Sequence, residues 1–342
     1  RSAIGTGWRR LDLSGEDMAL SGEVVITLEL LPVSGDSIRG IAYGIRLGGS
    51  GKGFDRRSTF DDWAQMPHRY SINVTALVPK DRPKEVVEDP EPFVRSVDAY
   101  RWSSAVQDSF SIAFGLPEAF DPQHPGGYPT VYLLDANVYF DDVVQAFRKE
   151  ARKGRMPPVI VVGVGYRDVG AMDTLRERDY VYPAHDSMRM SGGGERFLRF
   201  LTDELVPFVD QRFPGGNTQR VLAGHSLGGY FALYAWRQGL VDGRMPFNAF
   251  VAASPSFELT RAFAHMPEVP RDAFQQHPCR LFITTGEGER DVQAMEQIER
   301  AEHLAAGGLT LIEKHYPKAD HMATALPSFV DGLGAVLGPV PK

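Results

Sequence analysis

The stretch VLAGHSLGGYFALYAW, residues 221–236, sets Ser226 between Gly224 and Gly228. A serine in G-x-S-x-G serves as a nucleophile when a strand ends just before it and a helix starts just after. The sharp turn then presents the hydroxyl, and the positions two before and two after must be small so that strand and helix can approach. Glycine supplies 35 of the 342 residues, so the five-residue pattern alone decides little and its flanks matter more. QRVLAG is a short aliphatic run of the kind that forms a buried strand. YFALYAWRQG places Phe231, Tyr234 and Ala235 on a helical repeat that stops at a glycine. Strand, turn and helix stand in the required order, so Ser226 is a candidate nucleophile for acyl transfer. The backbone N–H of Leu227, at the start of the helix, is a candidate donor to the oxyanion that such an attack creates.

A serine nucleophile needs a base, and the base needs an orienting acid; in this arrangement both follow the serine along the chain, acid first and histidine last. His321 sits in YPKADHMATA, a loop between the last strand-like run, LTLIEKHYP, and a final helix. A loop histidine suits proton transfer between serine and leaving group. His315, inside that run, reads instead as a half-buried strand histidine. For the acid, ITTGEGERD offers Glu287, Glu289 and Asp291 at one strand end. Glu289 ranks first because it lies three residues past the strand-ending Gly286, and Asp320 is an outside alternative. The bland reading of all three is charge at a helix N-terminus. The second oxyanion donor is expected from DANVYF, residues 135–140, after the strand TVYLLD: the backbone N–H of Asn137, with Asp135 bracing the loop.

These residues need a scaffold. From residue 93 onward, apolar runs (SFSIAFGLP, TVYLLDANVYF, PPVIVVGVGY, AFVAASPS, RLFITTGEG, LTLIEKHYP) alternate with amphipathic segments. That pattern predicts an α/β fold with a mostly parallel sheet covered on both faces. Helices are expected from Asp141 to Lys153, through ERFLRFLTDELVPFVDQRF with Phe197, Leu201, Leu205 and Phe208 on one face, through VQAMEQIERAEHLAA, and through TALPSFVDGLGAVL. Arg167 to Gly194 reads as a long polar loop. Residues 1–92 differ: GEVVITLELLPV, SIRGIAYGIRLGG and HRYSINVTALVP are strand-like and turn-rich. They predict a small β-rich N-terminal domain, joined to the catalytic domain 93–342 through the proline- and charge-rich stretch at 79–93. Its favoured role is to wall the substrate entrance.

The formal charge of −7, with no Lys/Arg-dense run, argues against a nucleic-acid or anionic-membrane surface. No stretch approaches eighteen consecutive apolar residues. The single cysteine, Cys279, opens an apolar strand and reads as a buried structural thiol, which leaves the compartment open between cytoplasm and periplasm. The chain begins RSAIGTGWRR without an initiator methionine, as it would after removal of a targeting peptide or after trimming.

YPTVYLLDANVYF, PVIVVGVGYRD with RERDYVYP, GHSLGGYFALYAW, VAASPSF and HYPKADHMATALPSFVDGL together resemble the Putative esterase family, which includes siderophore esterases acting on enterobactin and salmochelin, esterase D and feruloyl esterases. The resemblance covers roughly residues 93–340. It implies an α/β-hydrolase fold and a serine esterase mechanism without metal or organic cofactor, and it carries over Ser226 and His321. RERDYVYP is similar to an Arg-Asp-Tyr-Thr-Pro stretch of siderophore-esterase-like members, which implies Arg178 as a substrate contact; a structural ion pair is the alternative. LDA stands here where many relatives read Leu-Asp-Gly. Some siderophore esterases are held to work without a well-placed acid, which keeps a Ser–His dyad open beside Glu289. The expected partner is a small-molecule ester. The rival readings are an acyltransferase using the same residues and a non-catalytic binding protein of the same fold.

Overall fold

Strands that are apolar on both faces must be covered on both sides, and in this protein they form the middle of an eight-stranded sheet. The computed structural model describes residues 24–29, 42–47, 53–56, 64–65, 96–167, 171–213, 219–261, 263, 266–270, 272–289 and 308–338. The chain divides into two compact units, Arg1–Val86 and Val87–Lys342. In the first, β1 (Val24–Glu29), β2 (Ala42–Leu47), β3 (Gly53–Arg56) and β4 (Ala64–Gln65) pair antiparallel in that order. HRYSINVTALVP and the connection expected at 79–93 lie outside the described residues.

The second unit carries β5 (Ser96–Ser103), β6 (Asp108–Gly115), β7 (Thr130–Leu133), β8 (Ile160–Tyr166), β9 (Arg220–His225), β10 (Ala249–Ala253), β11 (Cys279–Thr285) and β12 (Leu309–His315). Their order across the sheet is β12-β11-β10-β9-β7-β8-β6-β5. β5 and β6 run antiparallel to their neighbours, and the six strands from β8 to β12 are parallel. From β7 the chain moves to β8 on one side and then to β9 on the other. The strand order therefore reverses between β7 and β9, and in open sheets of this kind the carboxyl ends at such a reversal form a crevice.

The helices are α1 (Ala136–Arg152), α2 (Met172–Tyr180), α3 (Gly194–Arg199), α4 (Val206–Arg212), α5 (Leu227–Asp242), the short α6 (Phe257–Thr260) and α7 (Ala273–Gln276), and α8 (Ala325–Leu337). One face of the sheet packs on α1 and α8 through Phe140, Val143, Val144, Phe147, Phe329 and Leu333. The other face packs on α2 to α5 through Tyr180, Phe197, Leu201, Phe231 and Leu233. Phe197, Leu201 and Leu205 are buried, as the helical repeat predicts. A π-helical turn, Phe200–Leu205, joins α3 to α4 just before Pro207, whose missing N–H cannot close an ordinary turn. Cys279 is buried at the start of β11, and desolvation pushes its thiol up to about 11, as suits an inert structural thiol.

Three expectations need correction. α1 starts at Ala136, not Asp141, because Asp135 takes a left-handed conformation (φ 54°, ψ 39°) that turns the chain straight from strand into helix. The segment expected as a polar loop from Arg167 to Gly194 contains α2, which has almost no apolar periodicity and is held by ion pairs instead. His315 is exposed rather than half-buried, since β12 is an edge strand whose second half faces solvent. The helix expected through VQAMEQIERAEHLAA lies outside the described residues.

Candidate active site

The Gly224-to-Gly228 turn is sterically forced. A Cβ on Gly224 would lie 2.3 Å from the carbonyl oxygen of Gly228, so only glycine lets the end of β9 meet the start of α5. Ser226 occupies the turn at φ 60°, ψ −119°, a conformation rare for a residue with a side chain. Its backbone is pinned by its own N–H donating to Ala253 (3.0 Å) and by Tyr230 N–H donating to its carbonyl (2.9 Å). The side chain is half-buried at the strand-order reversal.

Two helix N-termini meet at this point. Leu227 opens α5 and Asn137 is the second residue of α1, so the N–H of each belongs to a first turn that has no intrahelical acceptor. The two starts are adjacent: a Cβ on Gly228 would stand 3.1 Å from Asp135 Oδ2 and 3.6 Å from Leu134 Cβ. Asn137 also clamps α1 to the end of β8. Its Oδ1 accepts Tyr166 N–H at 2.6 Å and its Nδ2 donates to the Tyr166 carbonyl at 3.0 Å.

Asp135 is the brace beneath these starts. It is buried, and its carboxylate receives Arg176 Nε and Nη2 at 2.8 and 2.9 Å together with the Tyr180 hydroxyl at 3.1 Å. Burial works against the Arg176 charge and Asp135 overcomes it, holding the guanidinium above its ordinary range. Arg176→Met would leave a buried carboxylate without its partner. Loss of about 3–5 kcal/mol of stability is expected, read as a lowered urea midpoint; a change below about 1 kcal/mol would show that Asp135 finds another partner.

His321 and Glu289 are brought together: His321 Nδ1 lies 2.5 Å from Glu289 Oε1, with the histidine side chain 45% exposed and the glutamate 18%. Glu289 is aimed by its own loop. Gly288 reverses the chain at φ 76°, and Gly286 N–H donates to Glu289 Oε2 at 2.6 Å. Partial burial opposes the Glu289 charge, but hydrogen bonds from Gly286, Ser254 and His321 outweigh it and hold the carboxyl below its usual range. Of the alternatives, Glu287 is exposed with its N–H on the Ala319 carbonyl, and Asp320 accepts Ala323 N–H at 2.8 Å. Asp291 lies outside the described residues. Arg178 makes a bidentate pair with Asp179 (2.8 Å twice) and reaches Asp108 at 2.8 Å, which commits three of its donors to neighbouring acids.

Sequence reasoning missed His225, the variable residue of the motif. It is buried, and burial first and the nearby His321 second lower it to about 4. Its unfolded value is near 6.5. Between the two values the unfolded chain binds a proton that the folded chain refuses, so this group's contribution is complete above about 6.5 and is lost as pH falls toward 4. The expected size is about 3 kcal/mol. Urea unfolding at pH 4.5 and 7 should show a smaller acid loss in His225→Gln than in the wild type; equal losses would refute the assignment. Among the described residues no cluster of three or more His, Cys, Asp or Glu side chains could hold a metal ion, and no helix is long and apolar enough to cross a membrane.

The comparisons with known proteins bear on the fold and the family. The model of the Putative esterase family matches residues 103–305, more than half of the chain. A ferri-bacillibactin esterase of Bacillus subtilis is 29% identical over 212 residues, which span 55% of this chain and 71% of that protein. An apo-salmochelin esterase of Escherichia coli is 35% identical over 141 residues, 38% of this chain and 42% of the relative. Among solved structures, the BES protein of Bacillus cereus superposes with a TM-score of 0.60 at 23% identity, covering 78% of this chain and 98% of that one. The siderophore hydrolase EstB of Aspergillus nidulans gives a TM-score of 0.55 at 22% identity, covering 71% and 96%. With an eight-stranded, largely parallel sheet and a G-x-S-x-G turn at its strand-order reversal, the chain belongs to the Putative esterase family and is a carboxylic ester hydrolase of the α/β-hydrolase fold.

Proposed function

We propose that this enzyme hydrolyses small-molecule carboxylic esters of the siderophore class through an acyl-enzyme on Ser226, with His321 as general base and Glu289 as its orienting acid. Ser226 Oγ attacks the ester carbonyl while His321 Nε2 takes its proton; Glu289, on Nδ1, holds the ring and stabilises the imidazolium. The carbonyl oxygen becomes an oxyanion received by the N–H groups of Leu227 and Asn137. His321 returns the proton to the departing alcohol, and water, deprotonated by the same histidine, then releases the acid and restores Ser226. The observation that carries this reading is the 2.5 Å pairing of His321 with Glu289 on the loops that follow β12 and β11, at the same carboxyl end of the parallel strands as the Ser226 turn. The substrate class rests on the relatives, which are named for ferri-bacillibactin and apo-salmochelin.

A siderophore trilactone assayed beside p-nitrophenyl esters of increasing acyl length and a feruloyl ester tests this. The expected result is a trilactone kcat/KM exceeding the others by at least about tenfold. Preference for a simple acyl ester would overturn the substrate class while leaving the chemistry intact.

A further inference from the structure

His225 precedes the proposed nucleophile, yet both of its ring nitrogens face away from bulk solvent and into the protein. Nε2 lies 2.8 Å from the main-chain carbonyl oxygen of His321, and Nδ1 lies 3.0 Å from the Tyr139 hydroxyl. A carbonyl only accepts, so Nε2 carries the proton. Nδ1 is then the acceptor, and the phenol donates to it. One neutral tautomer satisfies both contacts. Tyr139 comes from α1 and packs edge-on against the His225 ring at 5.8 Å and against Phe329 of α8 at 5.5 Å. The His225 and His321 rings are 4.6 Å apart.

One surrounding hydroxyl shares this acceptor with His225. Thr324 Oγ1 donates to the same His321 carbonyl at 2.6 Å and lies 2.7 Å from Ser254 Oγ. The His321 carbonyl is thus held from two sides, and of its two donors only the Nε2–H of His225 comes from the residue next to Ser226. The charged groups that face the ring are His321 and Glu289 from the loops after β12 and β11, and Arg176 from α2. A neutral His225 adds no positive charge beside the imidazolium that His321 becomes during turnover, and burial keeps it neutral.

We propose that His225 is a positioning residue: aimed by Tyr139, its Nε2–H fixes the main-chain carbonyl of His321 and thereby sets where the catalytic imidazole stands relative to Ser226. This rests on the reading of His321 as the general base. A shift of that carbonyl moves the whole imidazole, and a displacement of about 1 Å at a reacting group costs about a hundredfold in rate.

Three variants and a control test it. In His225→Gln the amide nitrogen can stand where Nε2 stood and keep the bond to His321, whereas in His225→Asn the shorter side chain cannot reach. The expected result is a kcat about a hundredfold lower for His225→Asn with KM within about twofold, and recovery of at least about a tenth of wild-type kcat in His225→Gln. A purely structural role would depress both variants alike, and that result, or an unchanged kcat in His225→Asn, overturns the proposal. Should His225→Asn not fold, Tyr139→Phe removes only the group that aims the ring. A kcat lowered about fivefold at constant KM then supports the proposal, and an unchanged kcat sinks it. His321→Ala is the control: if it still hydrolyses ester, the base assignment itself has failed, which is distinct from failure of the His225 contact.

Discussion

Ser226→Ala is expected to remain folded and to lose ester hydrolysis by roughly a million-fold. The turn holds without the hydroxyl: the backbone of residue 226 is fixed by its bonds to Ala253 and Tyr230, and the close approach depends on Gly224. Alanine therefore removes the proposed nucleophile and little else. In the proposed mechanism, loss of the first covalent step cannot be offset by His321 and Glu289, whose proposed roles are to move and hold a proton. The check is a direct comparison of turnover with far-ultraviolet circular dichroism and melting temperature on the same preparations, together with intact-mass analysis after a fluorophosphonate probe. Retention of a tenth of the activity, or an adduct on the alanine protein, would end the assignment.

The second large effect is expected at Glu289. Glu289→Gln preserves shape but exchanges the acceptor facing His321 Nδ1 for an amide that can present a donor, so the imidazole loses its preferred tautomer and its countercharge. Turnover should fall by roughly a hundredfold to ten-thousandfold. Glu287→Gln, on the exposed neighbour, should change it by less than about twofold, because surface charges away from a site act weakly. Kinetics of the two proteins with one p-nitrophenyl ester decide the matter. Equal and mild effects would mean that the enzyme runs on Ser226 and His321 alone and that the short carboxylate contact is structural.

Much of the central sheet is readable from the chain because β7 to β11 are covered on both faces and so are apolar almost throughout. The Ser226 turn is readable for a steric reason, since a strand and a helix can meet this closely only where glycines stand at fixed offsets from the serine. α2 is not: its sequence MDTLRERDY offers no apolar stripe, and its place is set by Arg176 on Asp135 and Arg178 on Asp108, pairs that only the tertiary structure makes. The start of α1 is hidden by Asp135, an aspartate in a backbone region where glycine is the usual occupant. The choice among Glu287, Glu289 and Asp291 depends on how Gly288 turns one short loop, which spacing does not encode. His225 escapes sequence reasoning because its partner is a main-chain carbonyl 96 residues away. No side-chain pattern records a contact of that kind.

Among the described residues, the non-glycine positions with positive φ are Gln107, Asp135, Ser226 and Ser254, and the last three follow β7, β9 and β10, adjacent strands of the sheet. Each such backbone holds about 1–3 kcal/mol of strain. Glycine would relieve it, less up to about 1 kcal/mol for its greater freedom in the unfolded chain. Laboratory evolution of this enzyme for heat resistance alone would consequently drift toward glycine at 226 and 254, accumulating robust proteins without the proposed nucleophile. Survival and turnover have to be selected together, because at these strand ends the sequence that folds best is not the one that reacts.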